Sequence, residues 1–349
     1  YGEEMLRIKD RQGREMLYGP TNEELITDIF RSSIKSYKSL PQLLYHIQWK
    51  FRDEIRPRFG VMRCREFFMK DAYSFDLDDA SAKVSYNKMF FSYLKTFKRL
   101  GLEAIPMAAD TGPIGGDLSH EFIILAETGE SKIYTDKSIF EIDLNNYNFS
   151  KSSLEKMIKD YSSIYAVTDD KFKKNEFDKK VPKQNQMITK GIEVGHIFYF
   201  GDKYSKPLNC FVDSQDGKKN AVKMGSYGIG VSRLVGAIIE AKYDNEIMKW
   251  PKSVAPFEVV IIPSISKNNK ENLSKSIKIY EELKKQNVDV LLDDADENMS
   301  QKFKKHDLIG IPYQIIVGSK STENKIEFKE VNSESSFIDL KDIKSKLIS

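Results

Sequence analysis

The chain has 349 residues, of which 40% are hydrophobic and 31% charged, a composition typical of a globular protein. Its 55 Lys and Arg residues against 52 Asp and Glu give a net charge of +3, which argues against a DNA-coating protein and against an acidic tail. The two cysteines, Cys64 and Cys210, suggest no disulfide framework and fit a reducing, cytoplasmic compartment. No apolar run approaches the roughly 18 residues of a membrane span, so we expect no membrane partner.

The beginning of the chain is unusual for a complete domain. It starts at Tyr1 without a Met, in sequence typical of the middle of a domain. We therefore expect that an N-terminal part is missing.

The first hundred residues are dense in predicted structure. Thr21 and Glu24 have the spacing of a capping box, and apolar residues follow at helical intervals, which predicts a helix. Two strand-like runs, residues 45–54 and 65–75, flank a basic linker and predict a long antiparallel hairpin. One apolar face predicts a further helix over residues 80–100.

The character of the chain changes between residues 137 and 190, where Lys, Asp, Asn and Ser dominate. This composition indicates either a small peripheral subdomain or a partly mobile insertion. Its Lys-rich stretch, residues 171–183, is more typical of a solvated surface than of a binding patch. A strand is predicted over residues 192–200, followed by a glycine-rich segment at residues 225–230 that leads into a helix.

The last hundred residues alternate between strand and helix, which predicts a compact mixed-sheet α/β domain. We place the domain boundary in a Pro-containing linker, giving domains at residues 1–250 and 251–349. The predicted elements of the second domain are strands over residues 257–262, 288–292 and 313–317 and a helix over residues 269–286.

The hairpin carries the first candidate chemistry. Arg52 and Glu54 are two residues apart on one strand and so share a face. An arginine fork beside a carboxylate suits a phosphate next to a base or an amine, and Phe67 on the second strand could stack on a purine. A cross-strand ladder of ion pairs on an exposed sheet face would explain the same residues, and the hairpin alone does not separate the two interpretations.

The glycine-rich segment, residues 225–230, carries the second candidate chemistry. It matches neither a Walker loop nor the Rossmann spacing, and close packing of helix on sheet would also explain it. Its distinctive residue is Arg233, which falls in the first turn of the predicted helix, where an arginine works against the helix dipole. Arg233 therefore faces either a bound anion or a partner carboxylate.

In this order, and with a strand-helix domain after them, these segments resemble motifs two and three of class II aminoacyl-tRNA synthetases. The chain is most similar to the bacterial type of prolyl-tRNA synthetase, over most of its length outside residues 137–190. The implied fold is α+β: an antiparallel sheet flanked by helices, then a mixed-sheet α/β anticodon-binding domain. The matching motifs are Gly19-Pro20-Thr21-Asn22-Glu23-Glu24, the run from residue 51 to 75, Gly115-Gly116-Asp117-Leu118-Ser119-His120-Glu121-Phe122, Gly195-His196-Ile197-Phe198, Lys203-Tyr204-Ser205 and Asp307-Leu308-Ile309-Gly310-Ile311-Pro312.

The resemblance implies an enzyme that uses ATP and Mg²⁺ to attach L-proline to tRNA(Pro). For Thr21 a simple helix cap, and for each histidine a structural role, remain alternatives to the pocket role. The residues that the resemblance assigns to ATP are Arg52, Glu54, Arg63, Phe67 and Arg233, with Arg52 and Arg233 as the catalytic pair. Those assigned to proline are Thr21, Glu23, Arg52, His120, His196 and Ser226.

The second domain would read the anticodon. Lys302, Lys304 and Lys305 form a basic cluster before the Asp307–Pro312 motif, and RNA readers combine such cations with stacked bases. Taken alone, the cluster would be a solvated helix face.

Four departures from the family pattern are visible. Motif one, which forms the dimer interface and supports the active site, would precede Tyr1, so we expect a homodimer when the N-terminal region is present. Residues 137–190 are too few for the large editing domain of many relatives, and we predict no hydrolysis of alanyl-tRNA in cis. Ser226 occupies a position where bacterial relatives often have cysteine, so proline binding should survive but thiol-directed inhibition there should not. Ser300 stands where glycine is expected.

Two other functions were weighed. A class II synthetase for a neighbouring amino acid such as threonine is disfavoured, since the zinc-type Cys/His set is not seen. A non-catalytic, synthetase-like tRNA-binding or regulatory protein is disfavoured by the presence of Arg52 and Arg233.

Overall fold

The computed structural model describes residues 2–109, 118–265, 270–322 and 324–348. The chain divides into two compact units, Tyr1–Ala241 and Lys242–Ser349. Among the described residues, no helix combines the length and the apolar character that crossing a membrane requires.

The first unit is built around an eight-stranded sheet in which every described strand pair is antiparallel. The strands of this unit are β1 (Arg7–Lys9), β2 (Glu15–Leu17), β3 (Gln42–Phe51), β4 (Glu66–Asp76), β5 (Ala104–Ala108), β6 (Leu118–Leu125), β7 (Ser131–Asp136), β8 (Ala166–Thr168), β9 (Gln186–Gly201), β10 (Phe211–Asp213), β11 (Lys219–Ala221) and β12 (Lys223–Gly230). The main sheet has the order β3-β4-β12-β9-β6-β5, with β7 joining β9 and β8 joining β7. The predicted antiparallel hairpin is therefore confirmed as β3 and β4.

Helices cover both faces of this sheet. Period-two alternation along β4 sends Lys70, Ser74 and Asp76 towards α2, where Lys70 contacts Tyr93 and Asp76 accepts a hydrogen bond from Ser85. The opposite face packs on α1 at one end and is open at the other. The helices are α1 (Glu23–Ser33), α2 (Asp79–Arg99), α3 (Lys151–Ser163), α4 (Lys174–Lys180) and α5 (Val231–Lys242).

The beginnings of α1 and α2 differ from one another. At α2 the carboxylate of Asp78 accepts from the backbone N–H of Ser81 at 2.7 Å, which completes a capping box. At α1 the N-cap is Asn22, and its side chain makes no cap hydrogen bond. The predicted capping box of Thr21 and Glu24 is therefore wrong, because Thr21 donates its hydroxyl to Glu23 instead.

The polar segment between residues 137 and 190 folds as a small subdomain. It contains α3, β8 and α4, and it is continuous with the main sheet through the pairing of β8 with β7. Its core is aromatic: Tyr134 stacks on Phe172 with ring centroids 3.6 Å apart, and Phe177 and Val181 are buried beside them. Of the two alternatives for this segment, the structure has the peripheral subdomain.

The second unit has a mixed sheet in the order β16-β15-β17-β18-β19. The first two pairings, β15 with β16 and β15 with β17, are parallel, and the last two are antiparallel. The mixed α/β fold predicted for this part is confirmed. Its elements are β13 (Tyr243–Asp244), β14 (Ile247–Met248), β15 (Val259–Pro263), α6 (Glu271–Lys285), β16 (Val290–Leu292), α7 (Met299–Ile309), β17 (Tyr313–Val317), β18 (Lys325–Glu330), β19 (Ser336–Asp339) and α8 (Ile343–Ile348).

Candidate active site

The open face of the first unit's sheet holds a cavity of about 310 Å³. Strands β4, β9 and β12 form its floor, and the loop before α1 and the start of α5 form its walls. Because side chains alternate along a strand, Phe67, Met69 and Asp71 of β4 all point into it. The predicted site residues that line this cavity are Thr21, Glu23, Arg52, Glu54, Arg63, Phe67, His196, Ser226 and Arg233.

Arg52 and Arg233 line the cavity from different elements of the chain. The guanidinium of Arg52 lies over the ring of Phe67, 5.1 Å from its centroid, and its Nε donates to the carbonyl of Pro20 at 3.3 Å. Arg233 donates from Nε to the carbonyl of Met62 at 2.9 Å. Their guanidinium groups are therefore fixed by the main chain.

Arg233 also meets a carboxylate. Its Nη1 donates to the main-chain carbonyl of Glu193 at 3.0 Å and lies 3.6 Å from the carboxylate of the same residue. A partner carboxylate was one of the two explanations for Arg233 in a first helical turn, and the structure supplies it. Since the pair lines the cavity, a bound anion is compatible with the same geometry.

The mouth of the cavity carries an ion-pair chain. Arg63 Nε lies 2.9 Å from Glu54 Oε2, and Arg63 Nη1 lies 3.2 Å from Glu130 Oε2. The hydrogen bond to Glu54 raises the pKa of Arg63, and the backbone N–H of Arg56, followed by Arg63, lowers the pKa of Glu54. The segment between β3 and β4 thus combines an ion pair with part of the cavity wall.

A second group in the cavity is built to accept hydrogen bonds from a cation. Thr21 Oγ1 donates to Glu23 Oε2 at 2.6 Å, and Ser226 Oγ donates to Glu23 Oε1 at 3.0 Å. Glu23 is only 2% exposed. A buried carboxylate needs compensation, and these two hydroxyls supply part of it as hydrogen bonds.

His196 lies at the opposite wall of the cavity, stacked on Phe198 with ring centroids 3.9 Å apart. Its Nε2 is 2.6 Å from Ser119 Oγ, and its Nδ1 is 3.3 Å from Glu193. Burial would raise the pKa of Glu193, but the hydrogen bond to His196 and the charges of nearby arginines lower it to about 2. Burial and the charge of Glu193 raise the pKa of the neighbouring Glu121 to about 7.

Glu193 is a cavity residue that sequence reasoning missed. Strict alternation along β9 would place Glu193 and His196, three residues apart, on opposite faces. The register between β6 and β9 shifts by one residue there: Phe122 pairs with Gly195, and Ile123 pairs with Glu193. The bulge brings Glu193 to the face of His196, and no local sequence signal marks it.

His120 lies outside the cavity, which corrects the prediction that it lines the amino-acid pocket. In the β6–β9 register His120 pairs with Ile197, whereas Glu121 pairs with His196, so His120 points to the face covered by α2. There its Nδ1 is 2.7 Å from the hydroxyl of Tyr86. Burial lowers the pKa of His120 to about 4, so it is neutral at pH 7. The Gly115–Asp117 part of the same motif lies outside the described residues.

The lysine cluster of α7 is also corrected in part. Lys302 is completely buried and donates to the carbonyls of Pro263 at 3.2 Å and Asp293 at 3.0 Å, so it cannot act as a surface cation for RNA. Lys305 is half-buried between Asp293 and Glu297, 3.0 and 2.6 Å from their carboxylates. Of the three, Lys304 is exposed.

No group of three or more His, Cys, Asp or Glu side chains in the described part of the chain is arranged to hold a metal ion alone. Mg²⁺ that accompanies a nucleotide is usually held by one or two carboxylates together with phosphate oxygens. Glu54 and Glu193 line the cavity and fit that mode.

Comparisons with known proteins agree with this geometry. The family described as "tRNA synthetase class II core domain (G, H, P, S and T)" matches residues 6–242, and the family described as "Anticodon binding domain" matches residues 258–349. The chain is 69% identical to a proline–tRNA ligase of Pelagibacter ubique, over 96% of this chain and 76% of that protein. It is 58% identical to a proline–tRNA ligase of Bartonella quintana, over 95% of this chain and 75% of that one.

Among solved structures, a prolyl-tRNA synthetase from Cryptosporidium parvum complexed with L-proline and AMP superposes with a TM-score of 0.75 at 17% identity. This likeness covers 99% of the chain described above but 63% of the solved chain, and it supports the fold. The identity to the curated relatives, with both families matched in order, shows that the chain belongs to the prolyl-tRNA synthetases of class II.

Proposed function

We propose that this chain activates L-proline with ATP and transfers it to tRNA(Pro). The observation that carries the proposal is that one cavity holds both kinds of binding group. Glu23 is a buried carboxylate suited to a cation, and Arg52 and Arg233 are suited to phosphate. The names of the relatives supply the amino acid.

The ammonium end of proline fits the group around Glu23. Its secondary ammonium would occupy the acceptor site formed by Glu23 and Thr21, with Ser226 at the floor and His196 at the wall. Arg52 would neutralise the carboxylate end. His120 is not part of this proposal, because it faces α2.

ATP fits the other half of the cavity. The adenine would lie between the ring of Phe67 and the guanidinium of Arg233, and Arg52 would bind the α-phosphate. Glu54 and Arg63 at the mouth would orient the nucleotide. Mg²⁺ would be held by the phosphates with Glu54 or Glu193, and it would supply charge neutralisation.

Activation needs no general base, because the proline carboxylate is already ionised at pH 7. Its oxygen forms a bond to the α-phosphorus while the bond to pyrophosphate breaks, which gives prolyl-adenylate. The protein's task is to orient the two anions and to stabilise the developing charge, which fixed arginines do. In the second step the terminal ribose hydroxyl of the tRNA takes the prolyl group and AMP leaves.

The second unit would bind the anticodon stem and loop. The match to the anticodon-binding family over residues 258–349 supports this role. Lys304 is the cation of the predicted cluster that stays available, since Lys302 is buried and Lys305 is paired.

A second copy of the chain would cover the outer face of β3. Alternate residues there are apolar and exposed, namely Leu43 (52%), Tyr45 (70%), Ile47 (50%) and Trp49 (55%). Patches of contiguous apolar surface on this scale mark interaction sites. We propose a cytoplasmic homodimer, formed with the N-terminal region that the family's dimer interface uses.

Charging of tRNA tests the proposed function. The full-length protein should attach labelled proline to tRNA(Pro) but not to tRNA(Thr), and Arg233→Ala should abolish charging without unfolding the protein. Failure of the folded wild-type protein to charge tRNA(Pro) would favour the alternative, a non-catalytic tRNA-binding protein, which the intact arginines do not support.

A further inference from the structure

A network of buried charged groups lies beneath the loop of Thr21 and Glu23. Asp71 on β4 and Lys50 on β3 are 2% and 1% exposed, and Lys50 Nζ lies 3.0 Å from Asp71 Oδ1. The other oxygen, Oδ2, is 2.6 Å from His46 Nε2 and accepts a hydrogen bond from the hydroxyl of Tyr73. Asp71 therefore contacts three side chains, Lys50 and His46 on β3 and Tyr73 on β4.

The same network holds Asn22. The backbone N–H of Asn22 donates to the hydroxyl oxygen of Tyr73 at 3.3 Å. With its amide oxygen turned towards β3, Asn22 accepts from Lys50 Nζ at 2.8 Å. Asn22 is the N-cap residue of α1 but makes no side-chain cap. The side-chain amide of Asn22 thus anchors the loop to the sheet and does not cap the helix.

Charge supports the same contact. Burial lowers the pKa of Lys50, and the charges of Asp71 and then of Glu23 act against that shift, while Arg52 reinforces it. Because Asp71 is in contact with Lys50, it favours the charged form of Lys50 that donates to Asn22.

We infer that Asp71 is a positioning residue for the amino-acid half of the site. Together with Lys50 and Tyr73 it fixes Asn22, and through Asn22 the flanking Thr21 and Glu23. This inference rests on the proposed function, and it assigns Asp71 to the support of the loop that carries Thr21 and Glu23.

The test is the Michaelis constant for each substrate in proline-dependent ATP–pyrophosphate exchange by the full-length protein. Asp71→Asn removes the carboxylate that Lys50 contacts and so loosens the hold on Asn22. It should raise KM for proline about tenfold or more, the size of a lost ionic hydrogen bond, and leave KM for ATP within about twofold. Asn22→Ala, which keeps the buried ion pair, should raise KM for proline in the same direction, and it decides the matter if Asp71→Asn does not fold.

A matched control separates this network from the general loss of a buried carboxylate. Asp76→Asn makes the same chemical change on the same strand, but Asp76 faces α2, and KM for proline should not change.

The inference is overturned if Asn22→Ala leaves KM for proline unchanged, or if folded Asp71→Asn raises KM for ATP as much as for proline. It is also overturned if Asp76→Asn reproduces the effect. If the wild-type protein itself shows no proline-dependent exchange, the proposed function fails, which is a separate result from any of these.

Discussion

Arg52 and Arg233 are each held through a main-chain carbonyl, and this determines what a substitution should do. Arg52 bonds to Pro20 and lies over Phe67, so its guanidinium plane is set before any ligand arrives. A lysine would keep the charge but lose the planar fork that matches a phosphate. Orientation, rather than charge alone, is therefore the property that mutation can isolate.

Arg52→Lys should lower the rate of proline-dependent exchange about a hundredfold, the size of losing one oriented donor in a transition state. The free energy of unfolding should change by less than about 1 kcal/mol, since charge and much of the stem are kept. The matched control is Arg31→Lys on α1, whose partner Asp28 is exposed. An exchange rate for Arg52→Lys equal to that of Arg31→Lys would contradict the assigned role.

Asp76 makes the free energy of unfolding depend on pH, and the direction of its pKa shift determines the sign of that dependence. Burial raises the pKa of Asp76 to about 6 from its usual 3.8, although bonds from Ser85 and Ser74 act against the shift. The folded protein thus prefers the protonated acid, so the stabilising contribution is complete below pH 3.8 and is lost as the pH rises through 6.

Asp76→Asn should remove this dependence. Between pH 4 and pH 7 the wild-type protein should lose stability relative to the variant, as measured by urea unfolding at each pH. A difference in unfolding free energy that stays constant across this window would show that Asp76 has an ordinary pKa in the folded state.

Regular alternation along a strand determines which site residues can be located from the sequence alone. The hairpin and α2 were predictable because their periodicities are regular. Arg52 and Glu54, which were expected to share a face of the first strand, lie just beyond the end of β3 at Phe51, so strand alternation does not place them. Glu193 was not predictable, because a bulge in β9 changes its face. His120 was misplaced because the motif containing it does not reveal which face of β6 each residue takes.

The glycines of β12 show the same limit. Sequence analysis treated residues 225–230 as a strand-to-helix turn, whereas β12 is a central strand between β4 and β9 that leads directly into α5. Two of its glycines, Gly225 and Gly228, lie on opposite faces of the sheet. A Cβ on Gly225 would lie 2.3 Å from the hydroxyl of Tyr227, while one on Gly228 would meet only Met69 and His196, at 3.7 Å or more.

A pair of alanine variants tests this division. Gly225→Ala should destabilise the first unit by about 1–3 kcal/mol, the usual cost of overpacking. Gly228→Ala should keep the melting temperature and instead impair exchange, because its methyl group enters the floor of the cavity. Thermal unfolding and exchange kinetics measure both, and equal destabilisation by the two variants would contradict the assignment of faces.

At the scale of the whole molecule, each of the two units has a core of its own. In the second unit, buried Lys302 links the ends of β15 and β16 through the carbonyls of Pro263 and Asp293. Sequence reasoning read the lysines of α7 as one surface cluster, because spacing along a helix does not tell which face the sheet will cover. Lys304 and Lys302 therefore have different expected roles.

Lys302→Met should destabilise the second unit by about 3 kcal/mol, because it leaves Asp293 without one of its buried partners. Lys304→Met should change stability by less than about 0.5 kcal/mol and weaken tRNA binding. With Trp49→Phe in the background, Trp250 remains as the fluorescence probe of the second unit during urea unfolding. Equal effects of the two lysine variants on stability would contradict the burial of Lys302.

The measurement that bears most directly on the whole account is amino-acid-dependent ATP–pyrophosphate exchange, run on this chain and on a version extended at its N-terminus. The account predicts exchange with proline, and not with threonine, in at least the extended protein. Exchange with another amino acid would contradict the assignment of the Thr21–Glu23–Ser226 group, and none with any amino acid from folded, extended protein would contradict the catalytic role of the cavity.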